Sequence, residues 1–176
     1  MFWNKFKSKE IKYRCTSCGQ IHQNLPAIGF SAPFHYTSLS ESQRKEIATL
    51  TSDFCIISYG DQTDRFIRTV LTIPITDYCE DLDYGLWVSV SEKTFDTYKA
   101  SYLEDCKENV YFGMVCNEIS DYKVSTLNLH VNVNTRNGNI RPEIIPHVCE
   151  HDLGKDFENG ISYETALKRI DKAFNN

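Results

Sequence analysis

A chain of 176 residues that is 41% hydrophobic, 12% aromatic and 24% charged has the make-up of one ordinary globular domain, which excludes global disorder and two full cores. No apolar run approaches the roughly 18 residues that span a bilayer, and the lysine-rich start Met1–Lys9 lacks a signal peptide's apolar region; a cytoplasmic protein without a membrane partner is expected. The net charge of −5 is uneven: five basic residues against Glu10 give residues 1–14 a charge of +4 and leave −9 on the rest, an acidic body that repels phosphate backbones and points to a protein partner, with no nucleic acid.

In chain order, residues 1–30 read as a basic arm and a Cys-x-x-Cys knuckle docked on a body of residues 31–176. Ser40-Glu41-Ser42-Gln43 has the form of a capping box and predicts a helix over about 41–50. Strand-like runs rich in β-branched and aromatic residues follow at 54–59, 66–75 and 84–90. Ser91 opens a second helix with Phe95, Tyr98 and Tyr102 on one stripe. Further strands fall at 110–116, where Cys116 reads as core, and at 126–135. In the latter, Leu127, Leu129, Val131 and Val133 alternate with Asn128, His130, Asn132 and Asn134, which puts aliphatics inward and amides outward. Asn137-Gly138 supplies a tight hairpin turn, so residues 139–145 return antiparallel, with Pro142 pushing that strand to an edge or a bulge. Ser162 opens a third helix carrying Tyr163, Ala166, Leu167, Ile170 and Phe174. The fold class is α+β: an antiparallel sheet of at least five strands, about three helices, and an N-terminal zinc-knuckle-like segment.

Seven cysteines are an odd number, and reduced thiols are the default in a chain of this type. The sharpest local signal is Cys15-Thr16-Ser17-Cys18-Gly19 followed by His22. Two cysteines at this spacing can turn both sulfurs to one tetrahedral ion, and the glycine permits the tight turn that aims N–H groups at the thiolates. The pair is half of a structural Zn²⁺ site, with His22, Cys55 and the Cys149-Glu150-His151 stretch, above all His151, as the candidates for the remaining ligands. A thioredoxin-like dithiol requires a helix after the pair, and residues 20–26 carry no helical stripe; two incidental buried cysteines are the other alternative. His130 reads as a solvated strand residue, His35 as a packed loop histidine, and Trp87 as core. The chain has no GxGxxG, Walker loop, HExxH or GxSxG.

Over about residues 12–170 the chain resembles a bacterial family, the domain of unknown function DUF2199. The resemblance rests on Tyr13-Arg14-Cys15-x-x-Cys18-Gly19-x-x-His22, Asp53-x-Cys55, Phe66-Ile67-Arg68, Ile73-Pro74-Ile75, Gly85-Leu86-Trp87-Val88-Ser89, Phe112-Gly113, Arg141-Pro142, His151-x-Leu153 and Gly160-Ile161-Ser162. Where the family pattern has Pro after its last His, this chain has Asp152 and a different local turn is expected. The resemblance implies a cytosolic bacterial protein and supplies no activity, substrate or catalytic residue. Two functions are expected as alternatives: a noncatalytic protein-binding adaptor or immunity-type inhibitor, or a small metal- or thiol-dependent enzyme with its site near Cys15, Cys18 and His22.

Overall fold

The computed structural model describes residues 13–14, 21–22, 25–102, 108–136, 140–147 and 150–175, with the first two pairs as backbone only. Strands β1 (Tyr13–Arg14) and β2 (Ile21–His22) pair antiparallel, with residues 15–20 as their connection. There follow β3 (Ile28–Gly29), α1 (Phe34–Thr37), α2 (Glu41–Ile47), β4 (Ala48–Leu50), β5 (Phe54–Ser58), β6 (Thr63–Ile73) and β7 (Leu82–Ser89). The second half holds α3 (Glu92–Ser101), β8 (Val110–Val115), β9 (His130–Asn134), β10 (Glu143–Pro146), α4 (Asp152–Asn159) and α5 (Tyr163–Asn175).

Strands β6, β7, β8, β9 and β10 follow one another round a ring that closes from β10 back to β6, a five-strand barrel. Strand β3 is appended to β7, and β5 and then β4 to β6. The α+β class holds, with two corrections. The sheet is not wholly antiparallel, because β10 joins β6 and β3 joins β7 in parallel. Among the described residues five helices replace about three, because α1 is one turn of four residues and α4 buries only Leu153 and Gly154, too short a stripe to read as helical periodicity.

Caps and breaks explain the element ends. Ser40 accepts the Gln43 N–H while the Gln43 side chain accepts the Ser40 N–H, closing the capping box that starts α2. The helix stops at Ile47 because Ala48 to Leu50 extend as β4 against β5. Strand β9 starts at His130 rather than at residue 126. Asn128 sits at φ 64 and breaks the extension, and the buried Thr126 hydroxyl is taken up by the Ile119 N–H and the Asn117 carbonyl. From His130 onward the alternation is as read, with Val131 and Val133 inside and His130 exposed. The return strand is antiparallel to β9, although its turn, residues 137–139, lies outside the described residues. It is not an edge: β10 lies between β9 and β6. Pro142 is tolerated because only its carbonyl is used, accepting from the Val70 N–H at 2.9 Å.

The apolar residues of β6 and β7 face two cores. Ile67, Leu71, Ile73, Leu82, Tyr84, Leu86 and Val88 meet Val131, Val133 and Ile144 inside the ring, joined by Phe95 and Tyr98 of α3, Leu153 of α4, and Ala166 and Ile170 of α5. On the outer face Cys55, Ile57, Phe66, Trp87 and Cys116 form a second cluster, roofed by Phe30, Tyr36, Leu39, Ile47 and Leu50. Burial on both faces is why these strands read as nearly continuous hydrophobic runs.

Each long strand changes partner along one edge. On β6 the pairing with β5 ends at Ile67 and that with β10 begins at Val70, and between them the Arg68 N–H is accepted by the Asp53 carbonyl at 2.9 Å. The Arg141 Nε donates to Asp53 Oδ1 at 2.7 Å across this fork and ties the β9–β10 connection to the start of β5. On β7 the change runs from β3 at Gly85 to β8 at Val88. There the buried Asn117 fills the gap, its Oδ1 accepting from the Trp87 N–H at 2.7 Å and its Nδ2 donating to the Ala32 carbonyl at 2.9 Å.

Burial alone would raise the Asp53 carboxyl, but bonds from Ser52, Arg141 and Tyr102 and the Arg141 charge outweigh it and hold the group below its ordinary value of 3.8. A depressed carboxyl adds stability above its unfolded pKa that is lost as pH falls through the folded one. Asp53→Asn should therefore cost about 1–2 kcal/mol at neutral pH, a figure reduced for solvent screening at the 39% exposed Arg141 side chain. In urea titrations the gap between wild type and variant should stay level from neutral pH to about pH 5 and close below about pH 4. A gap that persists undiminished in acid would remove the carboxylate from the account.

Candidate functional site

Of the residues singled out as metal ligands, only Cys55 and His151 have described side chains. Cys15 and Cys18 lie outside the described residues, and His22 is described only as backbone paired opposite Tyr13. Cys55 is 0% exposed in the outer core beside Ile57, Phe66, Trp87 and Cys116. Burial and the neighbouring Cys116 push its thiol up to about 12, so it is a protonated hydrophobe at neutral pH. His151 caps α4: its Nδ1 accepts the Leu153 N–H at 3.0 Å, its Nε2 donates to the Val124 carbonyl at 3.1 Å, and its ring packs on Tyr122. Asp152 is then the first residue of that helix. Proline and aspartate both suit this position, so the departure from the family pattern leaves the local turn a helix start. Among the described residues no group of three or more His, Cys, Asp or Glu could hold a metal ion.

A concavity lies above the outer core. It is a groove of about 490 Å³ lined by His35, residues 63–66 of β6, Ser89, Val90, Ser91, Thr94, Phe112, Met114 and Asn128. Its position follows from the strand pleat. Phe66, Ser89 and Met114 are successive register partners on β6, β7 and β8, so their side chains share one outer row. The start of α3 forms one rim, and α1, fixed by the Phe34 N–H bonding the Cys116 carbonyl at 2.7 Å, brings His35 to another.

Most polar groups in the groove already have partners. Arg65 pairs with Glu92 and donates to the Thr63 carbonyl. Ser91 caps α3 by accepting the Thr94 N–H, and Asp64 accepts from Gln62. His35 differs: its ring lies 5.2 Å from that of Phe66, and its buried Nδ1 meets no donor or acceptor among the described residues. Phe112 rises from β8 with 52% of its surface exposed, edge-on to His130 at 5.1 Å and tilted against His147 at 5.9 Å. Phe34, next to His35, is 47% exposed. This arrangement can seat an apolar side chain against Phe112 and Met114. No hydroxyl, thiol or carboxylate among the described residues bonds the His35 ring to make a nucleophile–base pair.

Sequence reasoning missed the groove because its residues come from five separate segments. The one readable signal is Phe112, which alternates with the inward Gly113 and Val115 along β8. A family model described as an uncharacterized protein conserved in bacteria (DUF2199) matches residues 14–161. No curated protein and no solved structure matches the chain.

Proposed function

The chain belongs to the DUF2199 family, and we propose that it is a noncatalytic protein-binding protein, of the adaptor or immunity type, whose groove receives a segment of a basic partner. The observation that carries this reading is Phe112, an aromatic ring held by a barrel strand and half in solvent at the wall of an open groove. An aromatic on a rigid strand offers a large contact area at small conformational cost, as at the centres of protein interfaces. Most polar groups around it have partners already, so docking need not reorganise them. The acidic body supplies the field that draws a basic partner.

Affinity capture from the native cell, quantified by mass spectrometry, tests the reading when wild type is set beside Phe112→Ser and, as a control, Val124→Ser at another exposed site. The proteins enriched by wild type should fall about tenfold or more with Phe112→Ser and stay level with Val124→Ser. Equal recovery by all three, or recovery of nucleic acid alone with a steep salt dependence, would overturn it.

A structural Zn²⁺ on Cys15 and Cys18 is proposed as a separate property of the N-terminal segment. Its support is the β1–β2 pairing, which draws together the two ends of residues 15–20 and sets His22 opposite Tyr13. His22 is thereby favoured as a ligand over Cys55 and His151, whose surroundings account for them as core and cap. Elemental analysis should find near-stoichiometric zinc in the wild type and in Cys55→Ser, and none in Cys15→Ser. Zinc-free wild type would end the proposal, and zinc lost on Cys55→Ser would return that thiol to the ligand set.

A further inference from the structure

Arg68 stands at the fork where β6 leaves β5 for β10, with its side chain on the outer face beside its register partner Trp87. Its guanidinium carbon lies 6.0 Å from the Trp87 ring centroid, and its Nη2 lies over the paired glycines Gly29 and Gly85. A Cβ at Gly29 would sit 3.4 Å from that nitrogen and one at Gly85 3.7 Å, so the two glycines make a flat floor for the cation. A guanidinium presents five N–H donors, and a half-buried one needs most of them bonded. Among the described residues Arg68 makes one side-chain bond, a long 3.4 Å contact from Nη1 to the Ser52 carbonyl, and its buried Nε has no partner.

The neighbouring charges leave the same deficit. Arg141 uses its Nε on Asp53, whose carboxylate also accepts from Ser52 and Tyr102. Arg141 lies close enough to Arg68 for its charge, together with burial, to disfavour the charged form of Arg68. Two guanidinium groups therefore share one carboxylate in a chain whose remainder is strongly acidic. Paired planar donors of this kind match an oxyanion held by two charge-assisted bonds.

We propose that Arg68 and Arg141 form a binding site for a small oxyanion, a carboxylate or phosphate group, at the fork between β5 and β10. Trp87 backs the site, Gly29 and Gly85 floor it, and Asp53 orients Arg141. The site is separate from the Phe112 groove and does not depend on its function.

The test is a titration of the full-length, ¹⁵N-labelled protein with inorganic phosphate and, separately, with succinate, each against chloride of equal ionic strength. The readouts are the arginine Nε–Hε signals and the indole N–H of Trp87, the ring beside Arg68, which donates to the Phe30 carbonyl and is present in every variant. The Arg68 and Trp87 signals should move saturably at millimolar concentrations, and the arm that saturates at lower concentration identifies phosphate or carboxylate as the natural group. Arg68→Lys, which keeps the charge and the fold but loses the planar fork, should weaken binding about tenfold, as should Arg141→Gln. Movement that stays linear and matches chloride, or saturation undiminished in both variants, would overturn the proposal.

Discussion

The five-strand barrel closes along an edge of β6 that the ring strand β10 must share with the appended strand β5. That edge is taken by β5 up to Ile67 and by β10 from Val70, and the change of partner leaves a gap that the Asp53–Arg141 pair spans. Closure on the β10 side rests on one register pair, Glu143 with Val70, and on the Pro142 carbonyl. So short a seam has little hydrogen bonding of its own. The charge-assisted bond beside it, with the buried side of Asp53 reinforced by Ser52 and Tyr102, supplies what the ladder lacks. The opposite fork, on β7, is closed by neutral means through Asn117.

These two forks position the groove and the arginine pair. Closing the ring turns Phe66, Trp87 and Cys116 outward, where α1, α2 and β4 cover part of the face and leave the groove above the rest. At the β6 fork the backbone demand brings Asp53 and Arg141 to Arg68, so a strut of the barrel and a cluster of spare cationic donors occupy the same place. The physical reason is shared: strands that part expose polar edges, and charged side chains that satisfy them remain within reach of solvent.

Much of the local structure was legible because local chemistry determines it. The Ser40 capping box, the Ser91 and Ser162 caps, the inward Val131 and Val133 and the antiparallel return to β10 all follow from neighbours within a few residues. Closure was not legible, since Arg141 and Asp53 are 88 residues apart and each looks like a turn residue in its own segment. Pro142 misled for a related reason: a missing N–H suggests an edge, but the ring takes only its carbonyl. Cys55 and His151 drew attention as possible ligands, yet the fold uses one as a small hydrophobe and the other as an N-cap, roles that ligand spacing does not reveal. The groove was invisible because its chemistry lies in the convergence of segments, with Phe112 its only local trace.

The dependence of the ring on the β6 fork is tested most directly by native-state hydrogen exchange at the Val70 amide, which donates to Pro142, compared between wild type and Arg141→Gln. The account predicts strong protection of Val70 in the wild type and a selective loss of it in the variant, with Ile67, paired to β5, and Leu86, inside the ring, keeping theirs. Val70 protection that is unchanged by Arg141→Gln, or that falls only in step with every other amide, would contradict the claim that this pair holds the barrel closed.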